Sequence, residues 1–323
     1  MRVIINSQCY PGFLESRSHL RAYLALGAVC FFWGTTYLGI RIALEWLHPL
    51  QLMSLRYLIS GAVMLAVAFA TNVRLPARRE LLHTSLFGVV TIGIGTGSLA
   101  FAELWIPSGL AALIVSMQPF WMVSIEAAIP GGECLHAPTI LGMLVGVVGT
   151  ALLVGPGAAH EGLNGPVLRG FLLLQIGCCG WSLGSILHRR QTTTAHPFVS
   201  AALQQMATGL FFLAPAIVVL RSHPVAWSWR GAAAILYLAV FGGIVGYSAY
   251  IYALSNLPVP VVSIYTYINP IVALWLGWLF YRETIGPREI IAMMVIFAGV
   301  ALVRRFSRVA PAKPAATAKA QTS

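Results

Sequence analysis

Apolar stretches of about 20 residues, the length with which a helix crosses a ~30 Å hydrocarbon core, follow one another along most of the chain. Short polar segments separate them. The pattern predicts ten helical spans, with ranges 22–44, 50–70, 82–105, 108–128, 138–155, 170–188, 197–220, 232–254, 258–280 and 287–304. We therefore expect an all-α integral membrane protein with ten transmembrane helices.

Several polar, aromatic and helix-breaking residues in this pattern occur twice. The recurring pairs are Trp33 and Trp181, His48 and His196, Pro119 and Pro270, and Glu133 and Glu283, at offsets of 148 to 151 residues. Such a duplication predicts two copies of one structural unit. Each copy holds five spans, an odd number, so the second copy enters the membrane from the opposite side. The two halves should then be inverted repeats, related by a pseudo-two-fold axis in the membrane plane.

This duplication divides the chain into five segments. A polar N-terminal segment, 1–20, precedes the first five-helix repeat, 21–155. A linker rich in glycine and proline, 156–168, leads to the second repeat, 169–305. The tail, 306–323, has too few hydrophobic residues to fold, and we expect it to be disordered.

Composition and charge support a membrane protein. With 58% hydrophobic and 9% charged residues, the chain differs from soluble globular domains, which carry about 25% charged residues. The net charge of +11 would suggest a nucleic-acid partner in a soluble protein. Here thirteen arginines and lysines fall on the side of the N terminus and six on the other. This positive-inside bias predicts a multi-pass protein with both termini cytoplasmic, and no nucleic-acid partner.

Four charged side chains lie within predicted spans, where insertion costs about 2.5–3.5 kcal/mol each. They are Arg41, Arg56, Glu103 and Glu126. The first three share a depth in the outer half, whereas Glu126 is expected at the inner interface. Glu103 with Arg56 or Arg41 could form a charge pair that lines a cavity, binds a zwitterion or gates access, with Glu103 carrying a coupling proton. The alternative is a structural ion pair, or side chains that reach the headgroups.

Recurring residues between spans are expected to start helices. Glu133 and Glu283 should form a turn or cap at the next helix, where a carboxylate favours the N-terminal dipole. His48 and His196 each precede a proline, which suggests the start of a helix rather than a catalytic base.

The two recurring prolines lie inside spans. Gln118 precedes Pro119 and Asn269 precedes Pro270, each near the middle of its span. An interior proline frees a backbone carbonyl and bends the helix, and lipid tolerates this only beside protein or a wet cavity. We therefore expect the substrate site at these two breaks, near the midplane. The alternative is a plain structural kink.

The repeat also indicates which other residues line this cavity. Gln204 occupies the position equivalent to Arg56, and several aromatic residues lie at the same level. The predicted substrate contacts are Trp33, Tyr37, Arg56, Glu103, Gln118, Gln204, Tyr265, Tyr267 and Asn269. An aromatic cavity suits amphipathic or aromatic solutes. Helix packing and interfacial aromatic belts are the other explanation for these rings.

Motifs of enzymes and cofactor sites are not found. The sequence has no Walker lysine, no H-E-x-x-H and no G-x-S-x-G, and its five cysteines lack metal-binding spacing. We expect no enzymatic activity, no catalytic residue, no metal and no cofactor. Two other classes stay open as alternatives, a passive channel and an intramembrane enzyme. The enzyme would need a serine or aspartate paired within the spans by histidine or another aspartate.

Short motifs in both halves carry a family resemblance. They are Phe32 to Tyr37 (F-W-G-T-T-Y), Leu55-Arg56-Tyr57, Ala102-Glu103, Pro107 to Ala112 (P-S-G-L-A-A), Gly180 to Ser185 and Ser263 to Pro270 (S-I-Y-T-Y-I-N-P). In this order the chain resembles the EamA branch of the drug/metabolite transporter superfamily, in particular its YedA-type exporters. Trp105 and Glu126 depart from the usual family pattern.

The resemblance implies a secondary active transporter of the inner (plasma) membrane, with two five-helix EamA repeats and a solute cavity between them. It implies export of small metabolites, such as amino acids, or of toxic compounds by alternating access, with a proton as a candidate coupling ion. An uptake permease for a small organic solute would have the same signature. Paired glycines such as Gly142 and Gly146 predict close packing within a monomer or a weak homodimer.

Overall fold

All regular structure described for this protein is helical. The structure is a computed structural model, and it describes residues 11–130, 132, 135–162, 164–191, 195–225, 228–257 and 259–306, with side chains from Leu20 onward except at residues 259 and 260. The predicted turn or cap at Glu133 and the predicted disordered tail after residue 306 lie outside these residues.

Ten long helices follow one another within the described residues. They are α1 (Pro11–Leu44), α2 (Pro49–Ala70), α3 (Arg78–Ala102), α4 (Ser108–Ala128), α5 (Ala137–Glu161), α6 (Pro166–Arg190), α7 (Pro197–Leu220), α8 (Trp229–Asn256), α9 (Tyr265–Tyr281) and α10 (Pro287–Phe306). A short helix, Val259–Val262, precedes α9. The first eight, with α1 counted from Leu20, are long and apolar enough to cross a membrane.

Three helix ends differ from the predicted spans. α1 begins at Pro11, before the expected start of the first span at residue 22. α3 ends at Ala102, so the following turn, and not the helix, carries Glu103. α5 continues through Pro156 to Glu161, beyond the predicted end of the span at residue 155. The connection between the halves is therefore residues 162–165.

Both recurring histidines begin helices, as their sequence positions predict. The Nδ1 atom of His48 accepts from the backbone amide of Leu50 at 3.3 Å. The Nδ1 atom of His196 accepts from that of Phe198 at 3.2 Å. Each imidazole thus takes the place of a usual N-cap side chain and satisfies one free amide of the first turn.

Equivalent helices of the two halves pack against each other and run in opposite directions. Between α2 and α7, the hydroxyl of Ser54 donates to the carbonyl oxygen of Gly209 at 3.2 Å. The hydroxyl of Ser60 donates to the side-chain oxygen of Gln205 at 2.6 Å. Residue numbers rise along one helix as they fall along the other. A two-fold rotation that exchanges the halves must therefore have its axis perpendicular to these helices.

Helices α5 and α10 form the second such pair, and their backbones are in contact. A Cβ atom added to Gly299 would lie 2.6 Å from the carbonyl oxygen of Gly142 and 2.5 Å from the amide nitrogen of Gly146. At the other end, a Cβ atom on Gly149 would lie 2.8 Å from the amide nitrogen of Ile296. Only glycine permits this approach, which is how helices associate without a hydrophobic drive in lipid.

A carboxylate from one half caps a helix of the other half. Arg282, with φ of 51°, ends α9 in the left-handed conformation. The next residue, Glu283, accepts from the amide and hydroxyl of Ser108 at 3.1 and 3.0 Å and from the amide of Gly109 at 3.1 Å. The prediction of a cap at the next helix, α10, was wrong, because this turn directs the carboxylate to the free amides that begin α4.

The glycine contact between α5 and α10 predicts a position-specific effect of one added methyl group. Gly299→Ala should destabilise the protein by about 1–3 kcal/mol, because two backbones must separate. Gly155→Ala, in the same helix pair, is the matched control, since nothing lies within 4 Å of the added Cβ. Apparent melting temperatures in detergent micelles measure both. A melting temperature of Gly299→Ala equal to that of Gly155→Ala would contradict the packing.

The cap at His48 predicts a pH-dependent stability. Only the neutral imidazole accepts the amide of Leu50, and burial, together with nearby His223, lowers the pKa of His48. Because the folded pKa lies below the unfolded value of about 6.5, the cap stabilises above that pH and is lost as the pH falls below it. His48→Asn, whose amide oxygen does not titrate, should reduce the loss of unfolding free energy between pH 7 and pH 5 by about 0.5–1 kcal/mol. The variant's melting temperature should therefore fall less over this pH range. The control His160→Asn, at an exposed position, should keep the full fall; equal behaviour of the two variants would contradict the cap's role.

Candidate functional site

A cavity of about 80 Å³ lies between the two halves. Its wall is formed by α1, α2, α3 and α4 of the first half and by α6, α8 and α9 of the second. The volume holds a few water molecules. A solute of metabolite size therefore requires the halves to separate further than in this structure.

Trp33 is at the centre of an aromatic cluster beside this cavity. Its ring is edge-on to Trp181 at 5.2 Å and to Tyr265 at 5.3 Å between ring centroids. It also contacts Tyr250 at 5.0 Å. The indole nitrogen of Trp33 donates to the carbonyl oxygen of Gly242 at 3.1 Å. Edge-to-face contacts and this hydrogen bond fix the orientation of the ring.

Two π-helical segments place glycines against the two tryptophans. They are Val89–Ile94 in α3 and Leu238–Tyr247 in α8, at equivalent positions of the repeats. A Cβ atom on Gly95, just after the first segment, would lie 2.8 Å from Trp181, and one on Gly246 would lie 2.5 Å from the indole nitrogen of Trp33. π-Helical turns concentrate at functional sites, and the sequence analysis did not predict them.

Arg56 is the cation of the cavity wall. It is 4% exposed, and its guanidinium carbon lies 4.9 Å from the ring centroid of Tyr57. Its Nε atom is buried without a hydrogen-bond partner. Among the described residues no carboxylate approaches Arg56 within 4 Å, since the two ion pairs there join Arg190 to Glu126 and Arg288 to Glu289.

Gln204, the repeat equivalent of Arg56, has instead a hydrogen-bond partner for each polar atom of its side chain. Its side-chain oxygen accepts from the hydroxyl of Tyr247, and its side-chain nitrogen lies 3.1 Å from Nδ1 of His188. Because the amide oxygen is an acceptor, the nitrogen is the donor and His188 accepts. Gln204 is buried behind Tyr247, and it does not line the cavity as predicted.

The two predicted helix breaks differ from each other. α4 is interrupted at Ser116 and Met117, directly before Gln118 and Pro119. α9, by contrast, continues through Pro270, and the interruption lies earlier, at residues 263–264. The predicted break at Pro270 was therefore misplaced.

The amide side chains beside these prolines both line the cavity. The side-chain nitrogen of Asn269 donates to the carbonyl oxygens of Tyr265 at 3.1 Å and of Cys30 at 3.0 Å. The backbone carbonyl of Gln118 accepts from the hydroxyl of Ser182 at 3.4 Å, which ties α4 to α6. Both amide side chains border the cavity together with Tyr265.

Glu103 lies outside the cavity wall, and the predicted ion pair is not formed. The residue is fully buried, and neither carboxylate oxygen has a hydrogen-bond partner. Arg41 donates to the backbone carbonyl oxygen of Glu103, not to its carboxylate. Arg41, Glu283 and Tyr37 are nevertheless close enough to interact with the carboxylate electrostatically. The predicted ion pair was wrong because Arg41 bonds to the backbone carbonyl at the end of α3, while Arg56 lies in the cavity wall, which Glu103 does not line.

Tyr267 faces away from the cavity. Its ring packs against Phe297 at 5.1 Å and lies 5.7 Å from the guanidinium carbon of Arg304, both in α10. On a helix, residues 265 and 269 share one face, whereas residue 267 lies about 200° away from residue 265. The helical period alone therefore separates Tyr267 from the two cavity residues.

Of the nine predicted contacts, the cavity wall brings six together: Trp33, Tyr37, Arg56, Gln118, Tyr265 and Asn269. The wall also includes Cys178 and Gly242, which the sequence did not single out as solute contacts. Gly242 gave no signal, because its place one π-helical turn before Tyr247 depends on a segment that the hydrophobic pattern does not predict. Cys178 is one helical turn before Trp181, the equivalent of Trp33.

Comparisons with known proteins agree with this architecture. The sequence model of the EamA-like transporter family matches residues 20–155 and 168–305. The chain is 30% identical over 302 residues to the uncharacterized inner membrane transporter YedA of Escherichia coli K12, which covers 93% of this chain and 96% of that protein. It is 26% identical over 291 residues to a probable terminal-alkyne amino-acid exporter of Streptantibioticus cattleyicolor, covering 88% and 94%.

A solved crystal structure shares the fold. It is 22% identical in sequence, has a TM-score of 0.62, and the match covers 89% of this chain and 97% of that chain. Together, the two repeats matched by the family model, the extended similarity to YedA and the apolar helices lead to one conclusion. This chain is a membrane transporter and belongs to the EamA-like transporter family.

Proposed function

We propose that this chain is a secondary active transporter of the inner (plasma) membrane, which exports a small organic solute by alternating access. The observation that carries the proposal is a cavity with polar and aromatic walls, enclosed between two halves whose equivalent helices are antiparallel. Inverted halves around a midplane site are the usual architecture of such carriers.

The proposed topology has ten transmembrane helices and both termini in the cytoplasm. It counts α9 and α10 as spans, because each packs against a helix of the first half, α1 and α5 respectively. Thirteen basic residues against six favour the cytoplasmic side for the termini. YedA, the relative that is 30% identical, is named as an inner membrane transporter.

Polar contacts between the halves support this topology. Glu283 caps Ser108, and the hydroxyl of Tyr281 donates to Glu45. The topology assigns all four residues to the external side. At the other end, Arg190 pairs with Glu126 at 2.6 Å, and both are assigned to the cytoplasmic side. Each contact thus joins residues that the proposed topology places on one side of the membrane.

Alternating access would then consist of rocking one half against the other. The contacts of α2 with α7 and of α5 with α10, each between equivalent helices of the two halves, would serve as pivots, because the helix backbones touch there. The bonds at the two ends, Glu283 with Ser108 and Glu126 with Arg190, would open in turn. Because the cavity holds only a few waters here, a larger solute would need the halves to move apart during this cycle.

The proposed solutes are small amphipathic or aromatic metabolites, such as amino acids, or toxic compounds. Trp33, Trp181 and Tyr265 offer ring faces and edges for stacking. A named relative, the probable terminal-alkyne amino-acid exporter, supports export of this class. We also propose a proton as coupling ion, with Glu103 as its carrier. A charged carboxylate there would lack any compensating donor, so the group suits uptake and release of a proton.

Variants of the two cavity amides test the transport site. In proteoliposomes, Gln118→Ala and Asn269→Ala should raise the solute concentration for half-maximal counterflow about tenfold, because each removes a polar amide group from the cavity wall. Solutes would be chosen from a toxicity panel of amino acids and antimicrobials in overexpressing cells. Asn256→Ala, an exposed amide at the end of α8, is the matched control. An unchanged half-maximal solute concentration in both cavity variants would show that the solute does not bind at these amides. Flux that rises linearly with solute concentration, without counterflow, would indicate a channel.

Replacement of Glu103 tests proton coupling. Glu103→Gln keeps the shape of the protonated acid but cannot release a proton. Export driven by a pH gradient should be abolished, whereas solute counterflow, which needs no net proton movement, should persist. Glu126→Gln, at the exposed ion pair with Arg190, should retain gradient-driven export. Gradient-driven export by Glu103→Gln at the rate of the unaltered protein would exclude Glu103 as the proton carrier.

A further inference from the structure

The charge of the cavity wall has a consequence for the solute. Among the residues that line the cavity, Arg56 is the one charged side chain, and no aspartate or glutamate is present in the wall. Its Nε atom has no hydrogen-bond partner, and the side chain is 96% buried, since its exposure is 4%. A buried cation without a counter-ion costs free energy that a bound anion would offset.

The surroundings of Arg56 keep its guanidinium available. Tyr57 packs on it through a cation–π contact at 4.9 Å, which leaves the N–H edge of the group unoccupied. A Cβ atom at Gly242 would lie 2.5 Å from Nη2 of Arg56, so a glycine at this position leaves room for the guanidinium group. Guanidinium groups bind carboxylates through two parallel hydrogen bonds, and nothing in the described wall competes for them.

The other repeat shows what a satisfied residue at this position looks like. Gln204, equivalent to Arg56 by the offset of 148 residues, is bonded to Tyr247 and His188. The fold therefore accommodates a neutral amide at this position, and the arginine is not required by the backbone. The difference between the two repeats places one positive charge on the first-half side of an otherwise uncharged aromatic cavity.

We propose that the central cavity is a binding site for organic anions, in which Arg56 pairs with the solute's carboxylate while Trp33 and Trp181 hold its apolar or aromatic body. This inference rests on the proposed function and narrows its substrate class. An ammonium group would find no carboxylate in the wall and would be repelled by Arg56. A monoanion should therefore bind more tightly than a zwitterion or a cation with the same ring.

Three indole probes that differ mainly in charge test the preference. Equilibrium dialysis of the purified full chain in detergent micelles would use radiolabelled indole-3-acetate, with unlabelled tryptophan and tryptamine as competitors. We expect indole-3-acetate to bind saturably. Tryptophan and tryptamine should each need at least about tenfold higher concentrations than unlabelled indole-3-acetate to displace the label, because they lose the favourable pairing of a lone carboxylate with Arg56. The inference is overturned if indole-3-acetate does not bind saturably, or if tryptophan or tryptamine competes at an equal or lower concentration.

Variants then assign the preference to Arg56. Arg56→Gln, which copies the residue of the other repeat, should weaken indole-3-acetate binding at least about tenfold and bring the three probes to similar affinity. Arg56→Lys keeps the positive charge but loses the planar guanidinium, which bonds a carboxylate through two parallel hydrogen bonds. This variant should bind indole-3-acetate with intermediate affinity. Arg221→Gln, at an exposed arginine after α7, is the control and should bind like the unaltered protein. Unchanged binding by a folded Arg56→Gln would overturn the assignment; if that variant aggregates, Arg56→Lys and the competition series decide.

Transport separates failure of this inference from failure of the proposed function. Counterflow in proteoliposomes would be measured with the same three probes and with the toxicity panel. Counterflow of cations or zwitterions alone would overturn the anion preference and leave the transporter intact. Anion binding that depends on Arg56, without counterflow of any solute, would support the site and contradict transport.

Discussion

Backbone contact between equivalent helices is the constraint on which this structure depends. In lipid, apolar side chains gain nothing by leaving the solvent for a neighbouring helix, so close packing must hold the halves together. Gly142 and Gly299 bring two helix backbones to contact, and Gly61 and Gly209 do the same between α2 and α7. These contacts put the repeat axis through both pairs. The remaining helices then surround a space that neither half could enclose alone.

That space explains where the polar groups of the chain are placed. Gln118, Asn269 and Arg56 would each be costly in contact with lipid, and each instead faces the cavity. The interruption of α4 beside Gln118 is tolerated for the same reason, because its freed backbone groups border protein and cavity. The aromatic rings between them give the space rigid walls with orientations set by edge contacts. Polarity and shape are thus consequences of one packing arrangement.

Much of this architecture follows from the hydrophobic pattern, because span length and repeat offset report on the bilayer and on duplication directly. The start of α2 at His48 and the break before Gln118 were predicted for this reason, as local effects of a cap and of a proline. Contacts that depend on the three-dimensional path were not. Glu103 lacks its predicted partner because Arg41 bonds to its backbone carbonyl instead of its carboxylate, and Glu283 reaches Ser108 only through the left-handed turn at Arg282.

The difference between Arg56 and Gln204 makes a carrier with a symmetric backbone chemically asymmetric. In the proposed alternating-access cycle, a site with identical residues in both halves would be equivalent in its inward-open and outward-open forms, and each would hold a solute equally well. A single cation in the first-half wall removes this equivalence, so the two open forms would have different dissociation constants for the same molecule. A solute would then bind more tightly from one side of the membrane and dissociate more easily on the other. The ion or solute gradient alone would still set the net direction of flow.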